Sequence, residues 1–338
     1  LAQSFGEIFA SRVFVGLGEA ALSPAAIALI SDYFPPSRRG LAVGFFLSGI
    51  AMGSGVAIML GGGVLQAVDA GLFATTPLAH LAAWRMVLVL VGLPGLAWCL
   101  LIFAIKEPLR RAASDLAPAA SSSSAATERV GATSFSWATA AAVYLVVAMA
   151  SLVDNAVGAW APSLLIREFN RSGGQIGLLL GLLLTIGFGG GVLVGGFLAD
   201  RAVTLRRRLG VSLIAAGLIL PASLLMLAHS FIIVLLGVPI YFALSGVVTA
   251  VGFASILQVV PARSRGLAMS ISFFLNVALG AGVGPTAVSL CASKLFGLSA
   301  GLAPPIVFVA CAGYGTVLAA LSLTRLRTKQ QNPPIVLR

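Results

Sequence analysis

PPSRRGLA, from Pro35 to Ala42, returns as PARSRGLA from Pro261 to Ala268, with five of the eight residues unchanged. Each copy opens a long apolar stretch, six apolar segments lie between the copies, and two follow the second. An internally duplicated membrane bundle produces this register, each copy holding the same place in consecutive six-span halves. One apolar segment precedes the first copy. Three further spans are therefore expected upstream of Leu1, and the chain reads as a piece of a twelve-span protein.

Composition supports a membrane chain. Apolar residues make up 59% and charged residues 9%, against roughly 25% charged in soluble domains, and the mean hydropathy is +1.05. About 20 residues cross a hydrocarbon core of ~30 Å, which places spans near 8–31, 41–66, 84–105, 138–163, 175–199, 210–229, 231–257, 267–292 and 303–324. All are expected to be helical, because lipid offers no partner to free backbone groups and the pattern is not that of a barrel.

The net charge of +11 suggests nucleic acid until the basic residues are sorted by side. Numbered from the fourth span, the loops of one face hold 16 of the 21. Arg12, Arg85, Arg167, Arg171 and Lys294 are the remainder, so the rich face is expected in the cytoplasm and no nucleic-acid partner is expected. The interval from Lys106 to Ser136 is too poor in large apolar residues to fold alone. It reads as a cytoplasmic linker, 106–137. The remaining boundaries are 1–105 for three helices of a first bundle, 138–325 for a six-helix second bundle, and 326–338 for a cytoplasmic tail. Cys99, Cys291 and Cys311 lack CxxC spacing and read as small core residues.

These features resemble the major facilitator superfamily. RVFVGLGEA puts Arg12, Gly16, Gly18 and Ala20 on that family's fourth-helix pattern RxxxGxGxA, and GGFLADR matches its loop motif GxxxDR at Gly196, Asp200 and Arg201. GEAALSPAA, SDYFPPSRRGLA, WRMVLVLVGLPGL and KEPLRR are most similar to the spinster-like group, which includes lipid and lysolipid transporters. Anion:cation symporters share the GEA and Pro elements. Gly53-Ser54 stands where many drug antiporters have Gly-Pro. The resemblance implies an all-α bundle of the major facilitator type, with nine of twelve transmembrane helices present, and a cavity lined by the first and fourth helices of each half.

Polar groups at membrane depth mark the candidate site, because a charge at a helix centre costs at least ~2.5–3.5 kcal/mol and needs a partner or water. Arg12, Gly16, Glu19 and Ser23 share one helical face. Arg12 lies seven residues from Glu19, roughly 10.5 Å along the axis, and suits an anionic head group. Ser151, Asp154, Asn155 and Gly158 form a second strip, and Tyr241, Ser245 and Thr249 recur every fourth residue. Each of those three hydroxyls can meet substrate or bond back to its own helix; both readings stand. Asn276 is a weaker candidate for substrate contact, since a lone Asn at such a place more often binds helices together. Glu19 and Asp154 are the candidates for proton coupling, since protonation would remove a mid-membrane charge. Asp200 and Arg201 are the candidate cytoplasmic gate, or equally a simple positive-inside anchor. Gly49 and Gly53, and likewise Gly187, Gly191 and Gly195, are spaced four apart and read as sites of close helix approach.

The functional expectation is a secondary transporter working by alternating access on a small organic or amphipathic, lysolipid-like and anionic solute, with a proton or other coupling ion. No nucleotide-binding glycine loop is present. Neither a nucleophile with its base nor a metal cluster is evident, so an enzyme, a cofactor and a metal are not expected. A multi-pass monomer in a lipid bilayer, a bacterial inner membrane, is expected. An organic-anion carrier of the anion:cation symporter type, and a receptor or lipid scramblase on the same scaffold, are the alternatives.

Overall fold

The computed structural model describes residues 4–33, 36–104, 137–202, 204–260, 264–297 and 301–331; some side chains within these ranges, those of Glu19 and Ser23 among them, lie outside the description. The linker expected at 106–137 falls outside it up to Ser136. So do the side chains beyond Arg325 in the expected tail and most of both repeated strings.

Helices account for nearly all of the described chain, in the order α1 (Phe5–Tyr33), α2 (Pro36–Asp69), α3 (Ala83–Leu100), α4 (Trp137–Phe169), α5 (Gly173–Arg201), α6 (Leu205–Leu224), α7 (Phe231–Val259), α8 (Arg265–Leu275), α9 (Gly284–Cys291) and α10 (Ala303–Gln331). A π-helical stretch, Asn276–Val283, joins α8 to α9, a second, Ala292–Phe296, follows α9, and Leu267–Phe296 is a single run long and apolar enough to cross a membrane. Among the described residues, eight runs are long and apolar enough to cross a bilayer, and they overlap the second to ninth expected spans. The first expected span lies in α1, an unbroken helix of 29 residues, roughly 43 Å long.

Short polar caps set the turns. Ser172 accepts a hydrogen bond from the Gln175 amide and starts α5; Thr204 accepts from the Arg207 amide and starts α6. Asn170, with φ of 49°, reverses the chain between α4 and α5. The start of α10 is capped from another helix: Oε1 of Glu168 accepts from the amides of Leu302 and Ala303 at 3.2 and 3.3 Å.

Two compact units are present, and α2 is shared between them. One unit comprises Leu1–Ile50 and Ala70–Thr133, the other Ala51–Asp69 and Ser134–Arg338. In the second unit, the end of α2 lies backbone to backbone on α5. A Cβ on Gly62 would stand 2.5 Å from Cα of Gly177, and one on Gly174 would stand 2.8 Å from the Gln66 amide. The expected contact face of α5 is present as well, whereas a Cβ on Gly49 or Gly53 of α2 would meet nothing within 4 Å among the described residues. Gly187 faces the Pro239 carbonyl, Gly191 meets the backbone of Ala243, and Gly195 meets Val247. In lipid, where burial of apolar surface does not drive helices together, such close approach supplies the dispersion contacts that do. Val153 and Leu164 of α4, Leu180 of α5, Ile219 of α6, Val248 of α7 and Ile306 of α10 fill the core of this unit.

Candidate functional site

Asp154 sits at the middle of α4, where a carboxylate cannot be solvated by lipid and must find partners on neighbouring helices. It finds three hydroxyls. Tyr241 and Ser245, one turn apart on α7, present theirs to it. The Tyr241 hydroxyl lies 3.1 Å from Oδ1, and Ser245 Oγ lies 2.6 Å from both Oδ1 and Oδ2. Tyr314, on α10, brings its hydroxyl to 3.3 Å from Oδ1 and 2.7 Å from Ser245 Oγ. All three hydroxyl-bearing residues are fully buried, whereas Asp154 is partly exposed. The rings of Tyr241 and Tyr314 pack edge to face at 6.0 Å, which fixes both hydroxyls.

The donor count gives this cluster its chemistry. Every partner of the carboxylate among the described residues is a hydroxyl, which can both donate and accept. When Asp154 is ionised, the three O–H groups donate toward it. When a proton sits on Oδ2, it donates to Ser245 Oγ, Ser245 donates to the Tyr314 oxygen, and Tyr314 donates to Oδ1, closing a ring. Either protonation state is satisfied with the heavy atoms in place. An arginine or lysine partner, by contrast, carries no acceptor and would hold the group as an anion.

The other face of the α4 strip is structural. Asn276 Nδ2 donates to Ser151 Oγ at 2.6 Å, tying the start of the π-helical stretch to α4 as its reading from sequence anticipates. Asn155 donates back to the Ser151 carbonyl at 2.9 Å. Gly280 lets the π-helical stretch approach, since a Cβ there would stand 2.7 Å from Asn155 Nδ2. Trp160 Nε1 donates to the Pro285 carbonyl at 2.9 Å, a second tie between α4 and this run. Thr249, one turn beyond Ser245, has its hydroxyl buried with no hydrogen-bond partner among the described residues.

Arg12 is exposed on α1 and, with Ile8, Ser11 and Val15, lines a cavity of about 240 Å³ whose other wall is Trp84, Arg85 and Leu88 of α3. The Glu19 side chain lies outside the described residues. At the end of α5, Asp200 is exposed and the Arg201 guanidinium stacks over the Phe197 ring at 4.1 Å. The fastening there is made by Arg208. Its Nε donates to the carbonyls of Ala199 and Ala202 at 3.1 and 3.0 Å, and its Nη1 donates to Ala254 of α7 at 2.8 Å, with Asp200 acting on it electrostatically.

Tyr314, Arg208 and Arg85 are the participants that the sequence reading does not single out. Tyr314 has no polar neighbour at helical spacing. Arg208 is the last of three consecutive arginines, and nothing in the run distinguishes the one that turns inward.

The family model for the Major Facilitator Superfamily matches residues 1–285. The chain belongs to that superfamily. It is an integral, multi-pass membrane protein of all-α architecture. Within the superfamily it is similar to Protein spinster homolog 3 of Danio rerio, 34% identical over 168 residues that make up 48% of this chain and 30% of that protein. It is also similar to a galacturonate transporter of Dickeya chrysanthemi, 34% identical over 100 residues, 30% of this chain and 25% of that one. The matched region thus spans less than a third of either relative's length. In fold, the chain superposes on an inward-facing, unoccupied bacterial homolog of the human lysosomal transporter Spinster with a TM-score of 0.64. That match has 21% identity and covers 98% of this chain and 79% of the other.

Proposed function

We propose that this protein works as a proton-coupled secondary transporter of a small organic or amphipathic anion, by alternating access in a bacterial inner membrane. The observation that carries the reading is Asp154, a mid-membrane carboxyl bonded by three hydroxyls and, among the described residues, by no cation. Such a group can load and release a proton inside a fixed cage, and each event changes the charge at membrane depth by one. Because a buried charge is expensive there, that change biases which arrangement of the bundles is favoured.

Each other residue has a role in this reading. Tyr241 and Ser245 hold the proton site; Thr249, whose hydroxyl has no hydrogen-bond partner among the described residues, and the carboxamide oxygen of Asn155 lie on the same two helices and are the candidates for solute contact. Arg12 attracts the anionic group of the solute. Glu19, seven residues deeper on α1, is a second protonation site. Asp200 and Arg201 close the cytoplasmic end together with Arg208. The galacturonate transporter among the similar proteins supports an anionic solute, since galacturonate is a carboxylate.

Uptake of labelled galacturonate and of a labelled lysophospholipid into proteoliposomes, with and without an imposed pH gradient, tests the proposal. Asp154→Asn should abolish gradient-driven accumulation while solute exchange at equal concentrations continues. Accumulation in the variant with the same dependence on the pH gradient as in the parent would overturn the assignment.

A further inference from the structure

The cavity between α1 and α3 is lined by Arg12 from one helix and Arg85 from the other. We infer that it is an oxyanion subsite in which Arg85 is the second cation, grasping a carboxylate or phosphate together with Arg12. This deepens the anion reading above and rests on it.

The lining residues fall on matching faces. Ile8, Ser11, Arg12 and Val15 follow the three- and four-residue spacing of one side of α1, and Trp84, Arg85 and Leu88 do the same at the start of α3. The Ser11 hydroxyl is already engaged by the Ile8 carbonyl at 2.7 Å, so the polarity of the cavity is that of the two guanidinium groups. Arg85 is half-buried and its guanidinium lies 5.1 Å from the centre of the Trp84 ring, which limits its rotation. Two guanidinium groups lining one small space make it a site that favours a negative charge. Guanidinium forks match the paired oxygens of carboxylate and phosphate, which a lysine cannot do. Ile8, Val15 and Leu88 give the same cavity apolar walls. At about 240 Å³ it lies below the ~300 Å³ of the smallest drug-sized sites, a volume suited to one small acid or one head group.

Equilibrium binding to the purified protein, measured by calorimetry without any gradient, tests this separately from coupling. The probes are galacturonate, a single-chain alkyl phosphate and a neutral alkyl glycoside. Arg85→Gln should weaken one or both acids roughly tenfold or more, the loss expected for a charge-assisted contact, and leave the neutral glycoside unchanged. Arg85→Lys, which keeps the charge but loses the fork, should fall between Gln and the parent, and keeps the test decisive should the Gln variant not fold. A loss confined to galacturonate identifies a soluble acid as the occupant, and a loss confined to the alkyl phosphate identifies a lipid head group. No gradient enters this measurement, so failed proton coupling in the transport assay leaves this inference standing. Parent-like binding of both acids by the folded Arg85 variants, or no binding of either acid by the parent, would overturn it.

Discussion

Ser245 Oγ lies 2.6 Å from each carboxylate oxygen of Asp154, so one hydroxyl of α7 serves both oxygens of the central acid of α4. Removing it leaves one oxygen with no donor among the described residues. Ser245→Ala is expected to destabilise the protein by about 1–3 kcal/mol, the usual cost of stranding a buried polar group. Thermal unfolding in detergent measures this. Combined with Asp154→Asn, the loss should be smaller than the sum, because both changes act on one network.

Tyr314→Phe keeps the ring packed against Tyr241 and deletes the hydroxyl that closes the ring of hydrogen bonds. A stability loss of about 0.5–1.5 kcal/mol is expected, less than for Ser245→Ala. In the transport assay, proton coupling should weaken more than solute exchange does. Equal losses in both would show that Tyr314 serves packing alone.

Gly191 and Gly196 provide a matched pair on α5. A Cβ on Gly191 would run into the Ala243 backbone, whereas one on Gly196 meets nothing within 4 Å. Gly191→Ala should cost about 1–3 kcal/mol through forced separation of α5 and α7. Gly196→Ala should be neutral or slightly stabilising.

Arg208→Ala removes three carbonyl contacts that join the end of α5 to α7. Amide hydrogen exchange should rise near Ala202 and near the end of α7, with little change around Asp154. Uniformly raised exchange across the second unit would instead mean global unfolding, and would argue against a local fastening.

Glu168→Ala takes away the acceptor that caps α10, and should cost about 1 kcal/mol, as other lost caps do. Gly301, next to the cap, has φ of +77°. Gly301→Ala should be destabilising as well, because its Cβ meets Glu168 Oε1 at 2.9 Å in a backbone conformation that disfavours side chains.

The spans and the α5 glycine contacts are legible in the sequence, because a bilayer fixes helix length and glycines spaced by four permit close approach. The polar strip on α4 is legible too, as is the Tyr241-Ser245 row. Which helix covers each strip is not. Spacing defines the face of a helix, but its neighbour is set by packing with residues far away in the chain, and the structure turns Tyr241 and Ser245 onto Asp154. Tyr314 stands alone in ACAGYGTV, so periodicity gives it no partner. The π-helical stretch has a retrospective signal in NVALGAGVGP, where glycines permit close contact and Pro285 cannot donate to the preceding turn.

The π-helical stretch is flanked by two ties to α4, Asn276 on Ser151 at its start and the Pro285 carbonyl on Trp160 in the first turn of α9. Tightening that coil into an ordinary α-helix would turn everything beyond it by about 100° for each residue taken up, and both ties could not survive the twist. The widened coil therefore acts as a torsional lock: while both bonds hold, this run and α4 must travel as one body.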